Sequence, residues 1–272
     1  MQTMKEIFEE IETNGGMTPS RRLRDIANRF PEQIAFRDKR YGIWNEMSYK
    51  EFWMEVQYVG CALNYFGIQK TEKVAIHSEN RPEWLIADIG VQAIGGITVG
   101  LYPTNPPAEV QYLLSHSESK ILFAEDQEQV DKALEVLDEV PNLSKIIYFE
   151  EKGLFRYDSE KLMRWDEFLE IGKEEYEKNK DFVNFCIDEI KSEDVALMIY
   201  TSGTTGPPKA SMLSHGNMEW TASIIPDLSF TPNISNPEYL SYLPLCHVFG
   251  RLVDEIIAIN SIAVSYTHLR AH

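Results

Sequence analysis

Cysteine is scarce: Cys61, Cys186 and Cys246 are the only three in 272 residues, far apart and without a Cys-x-x-Cys pair. This excludes a disulfide framework and a cysteine-based zinc site, and it points to a reducing compartment. Basic residues are also short, 26 Lys+Arg against 43 Asp+Glu, for a net charge of −17. That deficit weighs against sequence-independent nucleic-acid binding, which neutralises phosphates with basic side chains. It equally disfavours broad adsorption to anionic lipid. No apolar run approaches the roughly 18 residues that a membrane span needs. Met1 to Glu10 carries acidic residues where a secretory leader would be basic and then apolar. Together these absences predict a cytoplasmic protein with no nucleic-acid partner and no transmembrane segment.

What is present suits a folded domain, with 43% hydrophobic and 25% charged residues. Thr18-Pro19 predicts a helix start, with Pro31 ending that helix after Phe30. Ser48 and Glu51 form a capping box for a second helix, whose Phe52, Val56, Val59, Leu63 and Phe66 share one face up to Gly67. Ile34 to Arg37 is a candidate strand. From Lys73 onward, short apolar runs (73–78, 97–101, 120–124, 145–149) alternate with helical ones (84–94, 108–115, 128–139). That rhythm predicts βαβ crossovers and an α/β fold of mostly parallel sheets flanked by helices. Glu150 to Glu193 is acidic and predicts a surface excursion of one or two amphipathic helices, touching the body through Trp165, Phe168 and Leu169.

Val195 to Tyr200 predicts a core strand that leads into Thr201-Ser202-Gly203-Thr204-Thr205-Gly206-Pro207-Pro208-Lys209. Glycines let backbone N–H groups converge, hydroxyls donate to phosphate oxygens, and Lys209 supplies a point charge. The plain alternative is a solvated Gly/Ser/Thr linker. A Walker A loop is excluded, because Pro208 stands at its second glycine and Ala210 at its magnesium-binding hydroxyl. After Ala210 to Leu213, a candidate strand, Ser214 to Asn217 opens another helix. Downstream, Tyr239 to Leu245 reads as a strand ending at Pro244, followed by Cys246-His247-Val248-Phe249-Gly250-Arg251. Cys246 beside His247 makes a poor nucleophile–base pair, since neighbouring strand residues point to opposite faces.

The run Tyr200 to Lys209 closely resembles the phosphate-binding signature of the adenylate-forming, AMP-binding superfamily. Ala210 departs from it, where the family usually carries glycine. Leu243-Pro244-Leu245-Cys246-His247 resembles the family's Leu-Pro-x-x-His segment, and Arg81 to Trp84 and Leu101 to Pro106 resemble stretches of acyl-CoA synthetases. The likeness covers about Thr18 to Ile262. The form of the second motif is closest to long-chain fatty-acid–CoA ligases.

The resemblance implies the N-terminal part of the adenylate-forming fold, incomplete at its C-terminus. Its substrates would be a fatty acid, ATP and CoA, with Mg2+ bridging phosphate oxygens, and it leaves room for peripheral membrane contact by the intact enzyme. It assigns Thr201, Ser202, Gly203, Thr204, Thr205, Gly206 and Lys209 to the ATP phosphates and His247 to the acyl and adenylate pocket. It places the catalytic lysine beyond this chain and names no protein metal ligand. Residues 1–264 are expected to be a partial AMP-binding domain without its C-terminal lid, inactive alone, and 265–272 a non-native tail. Three alternatives stand beside this reading. They are a ligase or carrier-loading domain for another acid, a catalytically dead nucleotide-binding module, and a fragment without stable function.

Overall fold

The structure is a computed structural model that describes residues 18–40, 42–201, 206–224, 238–258 and 263–267. Helix α1 (Pro19–Arg29) starts where expected, with Thr18 Oγ1 accepting from the Arg21 amide and proline in the first turn. Strands β1 (Ile34–Arg40) and β2 (Ile43–Ser48) form an antiparallel pair. Helix α2 (Tyr49–Tyr65) has both halves of the Ser48/Glu51 capping box. Its Phe52, Val56, Val59 and Leu63 are fully buried, as their spacing predicts.

The alternation after residue 73 builds a seven-stranded sheet. In chain order its parts are β3 (Lys73–His77), α3 (Pro82–Ala93), β4 (Ile97–Leu101), α4 (Pro107–Ser117), β5 (Ile121–Ala124), α5 (Gln127–Glu135) and β6 (Lys145–Tyr148). Then come β7 (Leu162–Arg164), α6 (Trp165–Lys178), α7 (Phe182–Asp188), β8 (Val195–Thr201), β9 (Lys209–Ser214) and α8 (His215–Ile224). The strand order is β7-β6-β5-β3-β4-β8-β9, and every pairing is parallel except the edge pair β8–β9.

Period-two alternation divides the strands between two cores. Val74, Ile76, Ile121, Phe123 and Ile147 join the cluster that holds α1, α2, α3, α6 and α7. Ala75, Leu122, Ala124 and Ile146 face the opposite cluster, with Val110, Leu113 and Leu114 of α4 and Val130 and Ala133 of α5. Helix α3 is buried all round: Trp84, Leu85, Ile86, Ala87, Asp88, Ile89, Val91 and Gln92 have no exposed surface.

A smaller sheet has the order β10-β11-β1-β2, adding β10 (Glu238–Ser241) and β11 (Ala263–Thr267); α9 (Val248–Ala258) lies between those two in the chain. β11 runs parallel to both neighbours, and Tyr266 is buried edge-on against Phe36. Residues 265–267, within the segment expected to be a non-native tail, are thus part of a paired strand.

Several elements differ from expectation: β2 has no counterpart in the sequence reading, and the strand expected over Tyr239 to Leu245 ends at Ser241, leaving 245–247 in a turn. The expected 128–139 helix ends at Glu135, and residues Leu137–Glu139 form a separate 3-10 turn. The acidic 150–193 stretch is more than a surface excursion: β7 extends the sheet alongside β6, and α6 packs along α2. Phe168 of α6 is wholly buried, in ring contact with Phe66, Phe123 and Trp165. The aromatics, not the charge pattern, decided where this segment lies.

Candidate functional site

In a parallel sheet all strands end on one side, and ligands of open α/β folds gather at those carboxyl ends. Here that edge carries His77, Leu101 and Thr201, the last residues of β3, β4 and β8. Thr201 opens the candidate phosphate loop, and the antiparallel pair Thr201↔Lys209 closes its mouth. Thr201 and Lys209 are both exposed, and among the described residues Lys209 makes no ion pair. Gly206 has φ +94°, a left-handed conformation that any other side chain would strain. Ser202, Gly203, Thr204 and Thr205 lie outside the described residues.

His247 comes to the same edge. Gly100 of β4 pairs with Ile199 of β8, and a Cβ on Gly100 would stand 2.9 Å from the Cys246 Cα. Only glycine lets the 245–247 backbone approach so closely. Val248, next after His247, packs against the cluster of Ala196, Leu197, Ile199 and Met218. His247 is itself exposed and caps α9, its Nδ1 accepting from the Phe249 amide at 3.2 Å. With Nδ1 accepting, the neutral ring carries its proton on Nε2. Cys246 is buried, and burial pushes its thiol up to about 12. Residues 245–247 lie in a turn and not in the expected strand, so burial of the thiol, not strand alternation, is what disfavours a nucleophilic role.

Two of the residues that hold the His247 stretch, Asn80 and Asp88, carried no motif. Asn80, between β3 and α3, donates from Nδ2 to Ser241 Oγ at 2.8 Å and to the Leu243 carbonyl at 2.7 Å. It accepts at Oδ1 from the Leu245 amide at 3.0 Å. Ser241 in turn donates to Asp254. Burial raises Asp254 to about 7, with the Ser241 and Tyr239 hydroxyls pulling the other way. One turn earlier on α9, Arg251 forms a buried two-pronged ion pair with Asp88 of α3, its Nε donating at 2.8 Å. Gln92 donates to the same carboxylate at 3.0 Å, and the Arg251 guanidinium lies 5.2 Å over the Trp84 ring. Asp88 inside the apolar α3 run was the one available signal: a fully buried carboxylate demands a partner.

The sequence matches the AMP-binding enzyme family over residues 23–263. The chain belongs to that family. It is 31% identical over 234 residues to the long-chain-fatty-acid–CoA ligase ACSBG2 of Xenopus laevis, covering 85% of this chain and 31% of that protein. It is also 31% identical to the human ACSBG2 ligase, covering 92% of this chain and 37% of that protein. The chain therefore spans about a third of the length of these curated relatives. Among solved structures, a putative long-chain-fatty-acid CoA ligase of Rhodopseudomonas palustris superposes with TM-score 0.74 at 19% identity, over 92% of this chain and 57% of that one. Coronafacic acid ligase of Pectobacterium brasiliense gives TM-score 0.76 at 17% identity, over 93% and 46%. These likenesses bear out the predicted α/β architecture of the adenylate-forming enzymes, with its mostly parallel sheet and flanking helices.

Among the described residues, no group of three or more His, Cys, Asp or Glu side chains is placed to hold a metal ion. No described helix is long and apolar enough to cross a membrane.

Proposed function

We propose that this chain is the phosphate-binding part of an AMP-forming acid–CoA ligase that activates a long-chain fatty acid. The carboxylate attacks the α-phosphorus of ATP, giving acyl-adenylate and releasing pyrophosphate. The CoA thiol then displaces AMP to give the thioester. Thr201, Ser202, Gly203, Thr204, Thr205, Gly206 and Lys209 hold the β- and γ-phosphates, and Lys209 offsets charge on the departing pyrophosphate. Mg2+ would arrive with the nucleotide and offset phosphate charge; among the described residues no acidic or His/Cys cluster is placed to hold it alone. His247 shapes the wall beside the acyl carbonyl, since a capping ring with Nδ1 engaged is poorly set up as a general base.

The observation that carries this reading is the convergence of the 201–209 hairpin and His247 on one carboxyl edge, in a chain of this family. The names of the relatives favour a long-chain fatty acid over other acids. The reaction is placed in the cytoplasm, with any membrane contact peripheral. The chain spans about a third of its relatives' length, and the family's catalytic lysine has no counterpart among the site residues named above, so no turnover is expected from the chain alone.

The decisive experiment follows palmitate-dependent ATP–pyrophosphate exchange and then CoA thioester formation, in a longer protein carrying this segment and in the chain alone. Exchange by the longer protein only is the expected result. Exchange by the chain alone would show that the residues outside it are dispensable. Failure of the longer protein with palmitate, but success with another acid from a panel, would overturn the fatty-acid assignment. Failure across the panel, with ATP binding retained, would leave a nucleotide-binding module.

A further inference from the structure

Helix α4 carries no residue of either motif, yet it touches the 201–209 hairpin on both sides. Tyr112 donates its hydroxyl to the Pro208 carbonyl at 2.9 Å. His116, one turn on, places Nδ1 2.7 Å from the Tyr200 hydroxyl. At i, i+4 spacing the two side chains share one helix face, and their rings stack at 5.4 Å between centroids. Tyr200 directly precedes Thr201 and Pro208 directly precedes Lys209, so each contact falls one residue from the Thr201↔Lys209 pair that closes the loop. The helix itself is anchored: Val110, Leu113 and Leu114 are buried in the core, and Lys132 holds the turn before it through the Pro103 carbonyl at 2.8 Å.

We infer that Tyr112 and His116 are positioning residues, a brace that presets the two ends of the loop for a polyphosphate; this rests on the phosphate-binding reading above. Glycine and hydroxyl residues make a loop that can wrap an anion but pays a large ordering cost when it does. Fixing both ends in the free protein removes part of that cost before the ligand arrives. Orienting the Pro208 carbonyl also fixes the plane of the peptide from which Lys209 begins, because carbonyl and following amide are coplanar. Burial raises the Tyr200 hydroxyl to about 12, so it keeps its proton throughout the neutral range.

The test combines amide hydrogen exchange on this chain with calorimetric titration of inorganic pyrophosphate. The variants are Tyr112→Phe, His116→Ala and His116→Asn; the last keeps a polar atom near the place of Nδ1. In Tyr112→Phe and His116→Ala, amides of the 200–210 segment should exchange about threefold to tenfold faster, the scale of one hydrogen bond. Those of β3 and α3 should not change, and His116→Asn should return the loop toward wild type. Unchanged loop exchange, or equal acceleration everywhere, would overturn the brace. Pyrophosphate affinity should fall over the same range in the same two variants and recover in His116→Asn. A wild-type chain that binds no pyrophosphate would remove the loop's phosphate role, while the exchange result would still decide the brace.

Discussion

The two stretches that meet at the carboxyl edge of the large sheet are secured by different kinds of bond. The 201–209 hairpin ends on an edge strand, and the side-chain restraints at its two ends are single hydrogen bonds that involve Tyr112 and His116. The 241–251 stretch is tied to the core by three bonds to Asn80 and by the buried Asp88–Arg251 pair. Neutral bonds are individually worth about 0.5–1.5 kcal/mol net and can open locally. A buried ion pair barely stabilises relative to apolar packing, yet breaking it strands a charge. The 241–251 stretch is therefore held by buried bonds that are costly to break, and Tyr200 and Pro208, at the two ends of the 201–209 stretch, by single hydrogen bonds.

The largest effect expected from breaking this contrast is at the ion pair. Asp88→Ala leaves Arg251 buried beside Gln92 with no carboxylate, a loss of about 3–5 kcal/mol. Against a usual total of about 5–15 kcal/mol, urea melts should show a marginal fold. The paired change Asp88→Leu with Arg251→Met should recover most of that loss, because it removes both charges. If the double variant is as unstable as the single one, the pair does more than satisfy its own burial. Asn80→Ala comes next, at about 2 kcal/mol for three bonds made by a half-buried amide. Its exchange should rise in 241–247 and stay unchanged in 200–210. Acceleration in both segments would show that the two stretches move as one and dissolve the comparison.

Much of this arrangement could be read from the residues, for identifiable reasons. Thr18, Ser48 with Glu51, and the period-two strands announce themselves locally, because a cap or a pleat needs only near neighbours. The strand before the 201–209 stretch and the return strand after it were legible from the apolar run 195–200 and the glycines and prolines that interrupt it. Asn80, Tyr112 and His116 were not, since their partners lie 161–165, 96 and 84 residues away. Strand β7 escaped notice because three half-buried residues, Leu162 to Arg164, show no usable alternation. In α6 the apolar stripe of Trp165, Phe168 and Leu169 was legible despite the dense charge, and its centre, Phe168, is fully buried.

The most discriminating effect concerns Asp254, where the Asn80–Ser241 chain of bonds ends inside α9. Its carboxyl ordinarily titrates at 3.8 and is raised to about 7 here by burial. The folded chain thus holds a proton that the unfolded chain releases between those values. Stability from this group is complete below pH 4, falls as pH rises toward 7, and is level above that. His77 and His215 work in the opposite sense: burial lowers each from 6.5 to about 4, so their contribution is lost as pH falls through that interval. The two trends oppose each other in the wild type, and its stability alone would mask both. Asp254→Asn keeps an oxygen for Ser241 but cannot ionise, so the difference between wild type and variant isolates the one carboxyl. Urea midpoints at pH 5, 6, 7 and 8 should show wild type losing ground to the variant up to about pH 7 and little afterwards. A difference that stays constant across the series would mean that Asp254 is ionised in the folded chain, and the 241–251 stretch would then be held by charge at two points.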